Sequence, residues 1–322
     1  MKPPFEITDE IMALVASIST KLGKVQATHL YKPPARLRKE NQIKTIQATL
    51  AIEGNRLSEK QVTALLEKQR VLAPQKDILE VQNAIRVYNR LHKLNPYRLS
   101  DLQTAHKLMT QNLVEDAGRF RTKNVGVAKG SKIDHLAPKG ELVLGLLRDL
   151  FAFIKNDTSL LLIKSCVFHY EFEFIHPFLD GNGRIGRLWQ TLLLIELHPV
   201  FETLPVESII KAQQQGYYKA LGQSDKLGQS TPFIAFMLQC IDFSLGEFLT
   251  SQNRTLNQQE RIRLFCGQSR LTSFRRKDYL NEYKYISQAT ASRDLKWALD
   301  QGLIAKTGDK RNTTYTIVNS YS

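Results

Sequence analysis

The sequence predicts a mainly α-helical protein with one short β-hairpin and a small C-terminal helix-turn-helix domain carrying two strands. Three observations predict it. Apolar residues recur at steps of three and four through most of the first 250 positions, which is the helical period. Residues 118–135 break that period, being rich in Gly, Lys and β-branched residues with Val125 and Val127 alternating. Beyond a polar stretch at 250–259, a new pattern of short helical runs ends in two extended runs, Gly302-Leu303-Ile304 and Tyr315-Thr316-Ile317-Val318.

Each element has its own signal. Ile43, Ile46, Leu50 and Glu53 space a helix over 41–53, stopped by Gly54-Asn55, two residues that tolerate the left-handed conformation. Ser58 and Gln61 form a capping box for the next helix. A further helix is expected over 78–94, stopped by Asn95-Pro96, and another from a Ser100-Asp101 cap to Asn112. Pro138 and Gly140 end the hairpin, and a helix follows to about Asn156. The run 160–175 is apolar all round, so it belongs in the centre of the core. Pro177 ends it near His176, a loop follows, and helix resumes over 184–197. In the last domain, three short helices are expected at 274–279, 286–289 and 292–301, with a polar turn at 307–312 between the strands.

Composition narrows the class. With 322 residues the chain exceeds one ordinary core, and 42% apolar residues exclude a disordered chain. Three scattered cysteines, Cys166, Cys240 and Cys266, give neither a disulfide framework nor zinc spacing. The N-terminus has no secretory pattern, and the apolar run 142–154 is interrupted by Arg148 and Asp149. A cytoplasmic protein with no membrane partner is therefore expected. Of the net charge of +14, residues 258–322 carry +6, from twelve basic and six acidic residues.

The chemistry concentrates in His176-Pro177-Phe178-Leu179-Asp180-Gly181-Asn182-Gly183-Arg184-Ile185-Gly186-Arg187. Gly181 and Gly183 let backbone approach a ligand closely, just before a helix whose free N–H groups favour an anion. Arg184 and Arg187, three apart, share one face of the first turn, where two positive charges oppose the helix dipole unless an anion sits between them. Their guanidinium groups match phosphate oxygens. Asp180 adds a hard oxygen donor, and His176 a candidate base. No phosphate-binding Walker loop is present, since Gly130-Ser131-Lys132 lacks the spacing.

These residues resemble the signature of the Fic (filamentation induced by cAMP) family, His-x-Phe-x-Asp/Glu-Gly-Asn-Gly-Arg-x-x-Arg, at every fixed position. The resemblance covers most of residues 35–225. It implies a helical core that uses ATP and magnesium to transfer AMP onto Ser, Thr or Tyr hydroxyls of proteins, the chain itself included. It implies His176 as general base and Asp180 as magnesium ligand. Gly181, Asn182 and Gly183 become the anion hole, and Arg184 and Arg187 the phosphate holders. Thr49-Leu50-Ala51-Ile52-Glu53-Gly54 resembles the family's N-terminal inhibitory pattern Ser/Thr-x-x-x-Glu-Gly/Asn, which implies that Glu53 pairs with Arg187 and restrains ATP binding. Residues 119–127, with Val125, Gly126 and Val127, resemble the flap that docks a target segment as an added strand. Tyr217 and Tyr218 resemble a tyrosine pair near the adenine. His169 is read as a core residue, and His29, His92, His106, His135 and His198 form no metal spacing.

Residues 258–322 resemble a winged helix. Thr290, Ser292, Arg293 and Lys296 would face a DNA groove, and Lys306, Lys310 and Arg311 would lie on the wing. The expected organisation is an N-terminal helical region at 1–84 holding the inhibitory helix (about 41–54), a catalytic core at 85–250 and the winged helix at 258–322. Partners left open are DNA, through the last domain, and a second copy of the chain. Two further readings stay open: a DNA-binding regulator whose core only senses nucleotide, and an enzyme that removes AMP.

Overall fold

A computed structural model describes residues 2–27, 35–129, 132–253, 257–268, 273–283, 286–309 and 313–318. The chain divides into two compact units, Met1–Ser251 and Gln252–Ser322. Each is described on its own.

The first unit is helical and is built around two helices. Helix α7 (Leu161–Ile175) and helix α8 (Asn182–Leu197) pack against each other along their length. Gly186 makes the approach close, because a Cβ there would press on the His169 ring and on Glu173. The all-round apolar composition of α7 is satisfied by its position: Leu162, Val167, Phe168 and Phe172 are all buried. Around this pair lie α1 (Asp9–Ala27), α2 (Ala35–Ile52), α3 (Glu59–Leu66), α4 (Gln75–Tyr88), α5 (Leu99–Thr110) and α6 (Val143–Asn156). α9 (Val206–Ala212), α10 (Gln214–Leu227) and α11 (Thr231–Asn253) complete the unit. By length and composition α11 could cross a bilayer, yet its Phe233, Ile234, Met237 and Ile241 are buried in the protein core. The hairpin is β1 (Gly126–Lys129) paired antiparallel with β2 (Lys132–Leu136), with a bulge after Val127.

Several boundaries differ from the sequence expectation. α2 starts six residues before Asn41, in a charged segment whose apolar period is weak. Ser100 and Asp101 do not cap α5: Arg98 is the cap residue, and Asp101 in the first turn accepts the Asn95 amide at 2.8 Å. The helix expected over 78–94 breaks after Tyr88 and resumes as a 3₁₀ turn, Leu91–Lys93. α8 begins at Asn182 rather than Arg184, because Gly181 at φ 82° serves as its N-cap. The Ser58–Gln61 capping box is present as expected. Near the N-terminus, α1 is held to α11 by Ser17 and Lys21 on Asp242.

The second unit runs α12 (Gln258–Gln268), β3 (Ser273–Phe274), α13 (Arg276–Glu282), α14 (Gln288–Asp300), β4 (Ile304–Thr307) and β5 (Thr314–Ile317). Its sheet order is β3-β5-β4, antiparallel throughout. Here the three expected helices are corrected. Phe274 lies in a strand, and 286–289 with 292–301 merge into the single helix α14, capped by the Ser287 hydroxyl. The polar stretch at 250–259 is not all linker, since α11 reaches Asn253 and α12 starts at Gln258.

A buried ion pair anchors α14. Arg261 donates to both Asp294 oxygens, at 2.7 and 2.9 Å, and Tyr279 donates to the same carboxylate at 3.0 Å. Removing one partner of a buried pair leaves an uncompensated charge. Asp294→Ala is expected to destabilise the second unit by about 3–5 kcal/mol. Hydrogen exchange of α14 amides checks this: protection should fall there and persist in α7 and α8.

Candidate active site

The junction between α7 and α8 gathers the signature residues. His176 ends α7 in the left-handed conformation, φ 50° and ψ 59°, with its amide still bonded to Phe172. An L-residue reaches that region only when its surroundings hold it there. The holder is Arg121, whose Nε donates to the His176 carbonyl at 2.7 Å. Its other nitrogens reach the carbonyls of Ile175, Pro138 and Lys123 at 2.7–3.0 Å, and its backbone amide reaches Pro177. One buried guanidinium thus ties the end of α7 to both roots of the hairpin. Gly140 is required beside it, because any Cβ would collide with the Thr122 carbonyl.

Arg121 carries no signal in the sequence, since an arginine in a polar loop looks like solvent-facing charge. Arg121→Lys keeps the charge, but a single ammonium nitrogen cannot span the four carbonyls that the guanidinium reaches. For the AMP transfer that the family resemblance implies, the expected result is a roughly tenfold fall in kcat from displacing His176, with ATP affinity retained. Turnover and nucleotide titration, measured separately, check it.

The loop after His176 is stapled by its own side chains. Asn182 accepts the Phe178 amide at 2.9 Å and donates to the Phe178 carbonyl at 2.8 Å. Its side chain therefore shapes the turn. His106, read as a bland histidine, lies under the loop. Its Nε2 donates to the Asp180 carbonyl at 2.9 Å while Nδ1 accepts the Gly118 amide at 2.8 Å. Burial pushes its pKa down to about 4, so the ring stays neutral, in the tautomer these two bonds require. It stacks on Phe178 at 3.6 Å between centroids.

Asp180 is exposed, and its Oδ1 accepts the Gly181 amide and an Arg184 nitrogen, at 2.6 and 3.1 Å. Arg184, buried, also meets Glu80 of α4 at 3.5 Å. Glu80 in turn accepts Asn55, at 2.8 Å.

Arg187 is the deepest of these groups, its side chain only 1% exposed. It donates from Nε to the Thr49 hydroxyl at 2.9 Å and from Nη2 to the Thr49 carbonyl at 3.0 Å. Nη2 also donates to Glu53 Oε1 at 2.7 Å. Glu53 reaches this place because α2 closes on a Schellman turn: Asn55 bonds to Leu50, Gly54 to Ala51, and Gly54 takes φ 94°. The Glu53 carboxylate lies against Gly183, so closely that a Cβ there would overlap it. Burial works against the charged Arg187, and Glu53, Tyr217 and Glu173 together more than offset it, holding the guanidinium firmly protonated.

Behind Arg187 lies Glu207, which the sequence did not mark. It is buried, takes a hydrogen bond from Thr191 at 3.2 Å, and burial raises its pKa to about 7. The tyrosine pair splits. Tyr217 is a core residue, 2% exposed, bonded to His169 at 3.1 Å and surrounded by Phe233 and Phe236. That corrects its expected place at a nucleotide base; only Tyr218 keeps an accessible edge, near the Ile52 carbonyl. His169, fully buried and also bonded to Gln190, is held neutral by burial, with a pKa near 3. Val125, Gly126 and Val127 lie at the start of the hairpin, where Gly126 pairs with Leu136 and Val127 with His135. The side chains of residues 127–136, and residues 28–34, 130, 131, 310 and 311 as a whole, fall outside the described structure. The expectations at His29, His135, Gly130-Ser131-Lys132, Lys310 and Arg311 rest there.

Known proteins resemble this chain in sequence and in fold. The Fic/DOC family pattern matches residues 96–194. A crystal structure of a Fic family protein from Desulfovibrio desulfuricans G20 is 35% identical, covers 100% of both chains, and superposes with a TM-score of 0.77. The chain belongs to the Fic family. The protein adenylyltransferase fic-1 of Caenorhabditis elegans is 31% identical over 74% of this chain and 46% of its own. Its namesake from Caenorhabditis briggsae is 29% identical over 77% and 51%. The chain spans about half the length of the curated relatives it matches. Within the Fic signature, His176, Asp180, Arg184 and Arg187 thus converge on one loop and helix start. Glu53, 134 residues from Arg187 in sequence, joins them.

Proposed function

We propose that this Fic protein transfers AMP from ATP to Ser, Thr or Tyr hydroxyls of proteins, itself included, and is restrained by Glu53. One observation carries the reading. Both signature arginines are buried, and each keeps one N–H donor, Arg184 Nε and Arg187 Nη1, with no partner among the described residues. Buried guanidinium donors are rarely left unmatched, and a polyphosphate supplies the oxygens they lack. The Glu53 carboxylate on Gly183 stands where such an oxygen would approach the helix N-terminus.

In this reading His176 takes the proton of the target hydroxyl. The freed oxygen attacks the α-phosphorus in line, and pyrophosphate leaves as the bond to it breaks. The first-turn amides of α8 and the two arginines stabilise the charge that develops. Asp180 fits a magnesium ligand: it is an exposed hard oxygen donor beside the arginines, and magnesium commonly takes one or two carboxylates together with phosphate oxygens. Magnesium, when bound, would neutralise phosphate charge. The β1–β2 hairpin, rooted on Arg121 next to His176, supplies an edge for an extended target segment.

The test uses ATP labelled at the α or the γ position. Label from α alone should remain on protein. Retention from γ identifies a kinase, and retention from neither, in wild type and in Glu53→Gly, overturns the reading. Three buried cysteines with no disulfide among the described residues support a cytoplasmic setting.

The second unit supports a DNA-binding role beside the enzyme. Its helix–strand–helix–helix–strand–strand order is that of a winged helix, and α14 exposes Ser292, Arg293 and Lys296, while Thr290 is half-buried. Binding through these groups should weaken steeply with salt, and a flat salt response of any DNA affinity would rule it out.

A further inference from the structure

Helix α2 carries a polar stripe. Arg38, Gln42, Thr45, Thr49 and Glu53 follow one another at steps of four, three, four and four, which places them on one face. The lower end of the stripe is engaged, with Thr49 and Glu53 on Arg187. The upper end faces a cavity of about 350 Å³ lying between α2, the end of α4 and the segment 201–204. That volume is in the range of small-molecule sites. It lies apart from the His176 loop and shares no lining residue with it.

The cavity has two chemical zones. Its exposed mouth is lined by Arg38, Lys39, His92 and Glu202. Lys39 pairs with Glu67, but both side chains are over two-fifths exposed, so that pair offers little resistance to a competing anion. The floor is hydroxylated, with Thr45, Tyr88 and Thr191. The Thr191 hydroxyl lies within hydrogen-bond distance of both the Arg187 carbonyl, at 3.1 Å, and the buried Glu207, at 3.2 Å. The floor of the cavity is thus the back of the Arg187 site. Beside it, Asn41 latches α2 to the Thr203 carbonyl at 2.8 Å.

We propose that this cavity is a regulatory site for a small hydroxylated anion, and that its occupancy strengthens the hold of Glu53 on Arg187. The direction follows from the lining: Arg38, Gln42 and Thr45 belong to the same helix as Thr49, so a ligand that bridges them to Thr191 and Glu202 holds α2 in the position from which Glu53 reaches Arg187. The lever is short and stiff. Thr45 and Glu53 are two turns apart, about 12 Å, and from Ile43 to Ile52 most of α2 is buried. By linkage, the anion and ATP oppose each other's binding. This coupling rests on the reading that Glu53 restrains the site; the binding itself does not.

Calorimetric titration of the full chain with glucose 6-phosphate and with citrate tests the site, with inorganic phosphate and glucose as the separated halves. Saturable binding of at least one intact probe is expected, roughly tenfold weaker in Arg38→Ala/His92→Ala, as loss of charge-assisted contacts requires. Neither inorganic phosphate nor glucose should match it. No saturable binding up to about 10 mM overturns the proposal, and so does binding unchanged in the double variant. Hydrogen exchange reports the coupling without any activity assay. The bound probe should slow exchange of the α2 amides from Thr45 to Glu53, and in Glu53→Gly the probe should bind more weakly. Unchanged α2 exchange on saturation overturns the coupling, whether or not the chain transfers AMP.

Discussion

Glu53→Gly should raise self-modification with α-labelled ATP by about ten- to a hundredfold. The lower figure comes from one contact. Hydrogen bonds to charged groups contribute about 1.5–3 kcal/mol, and the side-chain exposure of Glu53, 37%, places this one at the weak end, near a factor of ten. The rest comes from position. The carboxylate covers Gly183, where the backbone of α8 would meet a phosphate, so ATP must displace it before Arg187 is free. Nucleotide affinity should therefore rise along with turnover. Glu53→Gln separates the two contributions. Its amide oxygen can still accept from Nη2 while the charge is gone, so it should fall between wild type and Glu53→Gly. If Glu53→Gly binds ATP normally and labels itself no faster than wild type, Glu53 is not a restraint. Thr49 limits the gain, because it keeps two hydrogen bonds on Arg187 after the carboxylate is removed.

The signature at 176–187 was legible because it is local: glycines, acid and arginines sit within twelve residues, and each has a chemical reason for its place. The central placement of α7 was legible too, since an all-round apolar helix has nowhere else to go. Glu53 was reached only through family resemblance, since by its own surroundings it reads as a surface carboxylate at a helix end. Arg121 and His106, which hold the loop, and Glu207, which lies behind Arg187, were not legible. They act through tertiary contacts that no spacing records, on backbone carbonyls and a buried hydroxyl. Tyr217 erred the other way. An aromatic pair on a helix can stack on a base or fill a core, and packing by Phe233 and Phe236 decided for the core. In the second unit, Asp294 looks like one more polar residue of a surface helix, yet it is the buried anchor of α14.

His176→Ala should cut AMP transfer by about 10²- to 10⁴-fold while leaving nucleotide binding nearly intact, the range expected for loss of a positioned general base. Two features of the structure make the effects separable. The groups proposed to face phosphate, Gly183, Arg184 and Arg187, belong to α8, whereas His176 ends α7 and is held by Arg121 through its backbone carbonyl. Replacing the side chain therefore leaves that clamp in place. The left-handed backbone adds one complication, because alanine is no more at ease at φ 50° than histidine. His176→Asn removes it, since asparagine tolerates that region and supplies no base. Both variants, measured in the Glu53→Gly background so that the reference rate is high, should show the same loss. A variant that loses ATP affinity in proportion to rate would assign His176 to binding instead of proton transfer. Displacing the imidazole, as in Arg121→Lys, should cost less than deleting it, because the displaced ring still carries a base.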